Sequence, residues 1–262
     1  GDVTINSLGA IIAGTKDYND GPYTYDKNGK IVISSLNGKV TNNSDSVKAV
    51  DSIVIATEKD VINSATIQSC NDNVSLYAGH DLQNASGKNI TAGKAVFISA
   101  ENNIENSGSI SAQTGITVGR GQLQTEDGKT YTIDDTQNLK NLSGGVISTV
   151  YGDITLSVDE KIINNADIFN VHGNIILEAG GKIDNSSGKI VAEEGSVTMV
   201  AGKITNAIAS ENILSNTANM GAKNGIVLLA LNGNLCNEST FTSNNAIAAT
   251  EGAAITAGDL VI

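Results

Sequence analysis

The sequence predicts an all-β chain wound into a right-handed parallel β-helix, and three observations predict it. A phrase of about 21 residues returns along most of the chain, inside the range of repeat architectures. The stretch Gly173 to Ala201 speaks the phrase once and begins it again. Within each phrase, short apolar-x-apolar segments alternate with period two, so each segment buries one face and wets the other. Finally, an aliphatic-x-Asn triplet follows about ten residues after each first segment begins, a regularity that chance does not produce over eight laps.

Composition agrees with this class. Hydrophobic residues make up 40% of the 262, enough for a continuous core, but aromatics are 3% and Trp is absent. The core must therefore be built from Val, Ile, Leu and Ala. Many Gly, Asn and Ser residues and a single proline, Pro22, suit short strands joined by tight turns. Three short strands per lap, repeated, are satisfied when each strand pairs with its counterpart one lap above and below. The crossover rule makes the coil right-handed. About ten laps at the usual strand spacing give a column roughly 45–50 Å long.

Taken in order, the first strands begin at Val3, Ile31, Ile53, Val74, Val96, Ile116, Ile154, Ile175, Val197, Ile226 and Ile255. The second strands end on Asn42, Asn63, Asn84, Asn106, Asn164, Asn185, Asn206 and Asn237. Asn tolerates the backbone of a sharp corner, and stacked amides can bond to one another from lap to lap. These eight are expected to form an inward, structural ladder. The third strands are marked by Ile90-Thr91-Ala92, Ile110-Ser111-Ala112, Ile190-Val191-Ala192 and Ile247-Ala248-Ala249. Four long steps predict insertions bulging from a single β-helix domain, at 15–28, 120–145, 209–223 and 238–252. The second alternates around Asp127-Gly128 and reads as a hairpin with a tight turn. The third is Ala- and Asn-rich and has room for one short helical turn.

Charge and chemistry exclude several functions. A net charge of −12 argues against nucleic acid or an anionic membrane as partner. No apolar run approaches the length of a membrane span, and no signal peptide opens the chain. The chain starts and stops in mid-phrase and reads as an internal section of a longer protein. Cys70 and Cys236 fall in distant laps and read as free thiols. No metal-ligand spacing of Cys or His exists and no metal site is expected, no cofactor-binding sequence occurs, and no nucleophile elbow is present. His80 and His172 lie several laps apart beside glycines and read as exposed turn residues. No catalytic constellation is expected. Tyr18, Tyr23, Tyr25 and Tyr131 sit in the first two insertions, where amphipathic rings either pack on the side of the coil as a cover or suit contact with a receptor or glycan. Two other functions remain open: a binding module using the insertions, and a polysaccharide-processing β-helix with acids in a cleft between an insertion and one sheet.

The phrase Gly152-Asp153-Ile154-Thr155-Leu156-Ser157-Val158, with Ile162-Ile163-Asn164 after it, resembles the haemagglutinin repeats of filamentous haemagglutinin and of contact-dependent growth inhibition exoproteins. The resemblance covers nearly all of the chain outside the insertions. It implies a secreted, surface-displayed bacterial adhesin or exoprotein. Export would run through an outer-membrane partner barrel, and a host or neighbouring cell would be met through a surface receptor or glycan. Neither the secretion domain nor a toxin domain of these families is evident in the sequence.

Overall fold

The computed structural model describes residues 1–6, 9–13, 29–119, 121–124, 130–133, 136–202, 212–216, 219–231, 234–237, 241–243, 247–249 and 260–261. Among them every regular element is a strand. Three parallel sheets, of ten, eleven and ten strands, take every third strand of the coil in turn, and a separate antiparallel pair stands apart. This is the predicted parallel β-helix. Each lap contributes one strand to the first sheet (such as Ile53–Thr57), one to the Asn sheet (Val61–Asn63) and one to the third sheet (Thr66–Ser69).

Register explains why the sequence repeats. Ile53 pairs with Val74, Val74 with Val96, and Val96 with Ile116. Val61 pairs with Leu82, and Leu82 with Ile104. Ile67 pairs with Ile90, and Ile90 with Ile110. Like side chains thus stack in vertical columns that fill the bore, and nearly all are under 2% exposed. Each lap alone could bury its apolar face against nothing, so the core exists only between laps. Burial alternates along the strands, as in Ile154–Val158, confirming the period-two reading.

Several boundaries differ from those expected. Val3 is not a first-sheet residue: it pairs with Val40, so the described chain enters through the Asn sheet. Ile247–Ala249 pairs with the strand holding Ile226 in the first sheet, which makes Ile247, not Ile255, the next first-strand residue. Ile255 lies outside the described residues. The insertions are also shorter. Within 120–145, Asn138–Asn141 rejoins the Asn sheet; within 209–223, Asn212–Asn216 and Met220–Ala222 are strands of the coil rather than a helical turn. Within 238–252, Phe241–Ser243 and Ile247–Ala249 are also coil strands. The reason is visible in the chain: Leu139-Lys140-Asn141 and Leu214-Ser215-Asn216 are themselves aliphatic-x-Asn triplets. Insertion 15–28 lies outside the described residues.

Candidate functional site

The Asn corner is a continuous hydrogen-bonded ladder. The Nδ2 of each residue donates to the Oδ1 of the next, from Asn42 through Asn63, Asn84, Asn106, Asn141, Asn164 and Asn185 to Asn216, over 2.5–3.0 Å. All eight are 2% exposed or less. The remaining amide groups bind the turn that follows: Asn63 Nδ2 donates to the Ala65 carbonyl, and its Oδ1 accepts from the Ala65 amide. Each buried amide is thereby satisfied, which is the condition for carrying a polar column through an apolar core. Two members differ from expectation. Asn141 joins the ladder, and the position after Asn185 is held by Asn216, not Asn206, which lies outside the described residues. Asn237 continues the column by backbone register with Asn216. The ladder is scaffold, and it fixes where the exposed corners stand.

The first such place is the outer face of the first sheet. The chain leaves this sheet at Gly119 and forms an antiparallel hairpin in which Leu123 pairs with Tyr131 and Gln124 with Thr130. The predicted hairpin is thus present; its Asp127-Gly128 turn lies outside the described residues. Tyr131 and Val54 pack against Ala56 and Tyr77, which are buried although they point away from the bore. Between hairpin and sheet lies a groove of about 410 Å³, lined by Thr57, Glu58, Tyr77, Glu101, Tyr131 and Thr132. Gly79 stands at the lap position between the two glutamates. A Cβ there would come within 2.6 Å of the Glu58 carbonyl, so the position stays without a side chain and the groove stays open. Burial pushes the Tyr77 hydroxyl up to about 12.

The second place is the edge where the first sheet turns into the Asn sheet. His80 Nδ1 lies 2.9 Å from Asp60 Oδ1 and 3.2 Å from Asp81 Oδ2. Asp81 Oδ1 accepts from Asn102 Nδ2, the Asn103 backbone amide and Asn103 Nδ2, at 2.9–3.1 Å. The hydrogen bond to Asp60, aided by the charge of Asp81, raises the His80 pKa. At another corner, His172 Nδ1 lies 2.6 Å from Glu194 Oε2, and the imidazole stacks on Tyr151 with ring centroids 5.1 Å apart. The His172 contact holds the Glu194 carboxyl below its ordinary range.

Both histidines are exposed, as expected of turn residues, but neither is isolated. Asp60 and Glu194 lie one lap from their histidines, 20 and 22 residues away, whereas Asp81 adjoins His80 in the chain, so lap spacing applied to the two histidines points to both one-lap partners. Of the four candidate contact tyrosines, Tyr131 lines the groove, while Tyr18, Tyr23 and Tyr25 lie outside the described residues. Tyr77, which the sequence pattern does not single out, forms with Ala56 the small cluster that Tyr131 packs against. Both thiols are unbridged. Among the described residues no helix is long and apolar enough to cross a membrane. No protein-family model, curated protein or solved structure matches the chain.

Proposed function

We propose that this chain is a non-catalytic section of a secreted bacterial surface exoprotein of the filamentous haemagglutinin type, serving as a stiff shaft in an adhesin or in a carrier of a distal domain. The observation that carries this reading is the in-register stacking of sheets and amide ladder, which yields length and stiffness. Each lap contacts only its neighbours, so the column can form lap by lap as the chain emerges from an outer-membrane secretion barrel. Unbridged thiols suit such passage. Antibodies raised against this chain are expected to label intact producing cells and to find the protein in their medium. Labelling only after the cells are opened would overturn the assignment.

The hairpin groove favours a second reading, a receptor- or glycan-binding module. The half-buried Tyr131 ring and the threonine hydroxyls beside an open cleft of this size offer a sugar ring stacking and hydrogen bonds. Binding of neutral glycans that Tyr131→Ala removes would support it; equal binding by both proteins would exclude the groove. New reducing ends released from a bound glycan, and lost in Glu58→Gln or Glu101→Gln, would instead establish polysaccharide processing.

A further inference from the structure

We propose that Asp60, His80 and Asp81 form a surface site for a divalent transition metal of the zinc class, its coordination completed by water. One ligand atom from each residue lies within 4.8 Å of the other two. An ion with bonds of about 2.0–2.1 Å in tetrahedral geometry holds its ligand atoms roughly 3.3 Å apart. His80 Nδ1 already stands 2.9 and 3.2 Å from the two carboxylate oxygens, close to that spacing, so an ion replacing the imidazole proton finds two of the three ligand separations in place.

The β-helix builds this arrangement in a specific way. Val61 and Leu82 are register partners, and the Val61 amide bonds to the Asp81 carbonyl, so Asp60 and Asp81 occupy the same lap position on consecutive laps. Two carboxylates stacked at one strand spacing, about 4.8 Å, repel each other unless a cation stands between them. His80 is placed to share that cation. Lys59 adds positive charge nearby, as its effect on His80 shows. Asp81 is oriented by its three amide donors, which leave Oδ2 aimed at the imidazole, the outer support that metal-binding carboxylates require. One imidazole with two carboxylates favours zinc, nickel or cobalt over magnesium or calcium, which take oxygen ligands alone. The His80 side chain is 57% exposed, so water reaches the open positions.

The test is calorimetric titration of the chelator-treated full chain with zinc chloride at neutral pH, with the His80 ring resonances followed by NMR. One zinc per chain should bind and shift those resonances, and the affinity should fall at least tenfold in His80→Ala and in Asp81→Asn. His172→Ala and the Cys70→Ser/Cys236→Ser chain should bind as the parent does. The melting temperature of metal-free His80→Ala should match the parent, which separates lost ligation from lost folding. Absence of saturable binding, or binding that His80→Ala leaves unchanged, would overturn the site and leave an ion pair only.

Discussion

At the scale of single residues, the buried ladder amides within the column each serve two neighbouring laps. Asn185 accepts from Asn164 and donates to Asn216. Replacing it by leucine strands a donor below and an acceptor above, so Asn185→Leu should destabilise by roughly 2–6 kcal/mol, read from denaturant melts. Asn164→Leu should cost a similar amount, and the double variant less than the sum, because the bond between the two is counted in both singles. Glycine beside the ladder is equally constrained. A Cβ on Gly188 would stand 2.2 Å from Asn164 Nδ2 and 2.4 Å from the Ala166 carbonyl, so Gly188→Ala should lower stability by about 2 kcal/mol or more. The Glu194 carboxyl, whose pKa is lowered by His172, behaves differently because it is exposed. Its stabilising contribution is present above the ordinary value of 4.5 and is lost as pH falls through the lower folded value. NMR titration should therefore show the Glu194 midpoint rising toward 4.5 in His172→Ala. The inward Asn corner was legible in the sequence because its spacing repeats; Gly188 was not, since its reason is an atom of the preceding lap.

At the scale of elements, the hairpin is the one described departure from the coil, and it converts a sheet face into a groove. Its existence was legible from the alternation around Asp127-Gly128, which is local. What it covers was not, because Tyr131 reaches Ala56 and Tyr77 across more than one lap. The same limit applies to the histidine corners: Asp60 and Glu194 meet His80 and His172 across one lap. The cover has a measurable consequence. The Tyr77 hydroxyl is pushed up to about 12 from an ordinary 10.0 because burial disfavours the phenolate. Its folded pKa is raised, so its contribution to stability is present below pH 10.0 and is lost as pH climbs toward about 12. Tyr131→Ala removes the ring that shields it. An ultraviolet titration should then show the Tyr77 midpoint falling toward 10.0, and Tyr77→Phe should remove that transition from both proteins. An unmoved midpoint in Tyr131→Ala would mean that the hairpin does not desolvate the hydroxyl.

At the scale of the whole molecule, the fold is one lap's solution repeated, and its stability is a sum over adjoining laps. This is why architecture was legible where boundaries were not: the columns of Ile, Val, Leu and Asn carry the pattern through every lap, whereas a lap of irregular length looks like an insertion until its strands are paired. It also makes the column tolerant of losing whole units and intolerant of losing fractions. Lys161 pairs with Lys182, and Asn164 lies 21 residues before Asn185. Deleting residues 161–181 joins Glu160 directly to Lys182, so Lys182–Asn185 arrives where Lys161–Asn164 had been. Asn141 can then donate to Asn185, the apolar columns close up with like against like, and the chain should keep its strand signal in circular dichroism and a cooperative melt. Deleting only 161–171 instead brings His172–Ile175, the turn into the first-sheet strand Ile175–Ala179, to the Asn sheet, so Gly173 and Ile175 fall where Ile162 and Asn164 had been and the amide column is broken. That variant should lose cooperativity and expose apolar surface to a reporter dye. If the whole-lap deletion unfolds as readily as the partial one, the laps are not interchangeable units, and the shaft reading loses its physical basis.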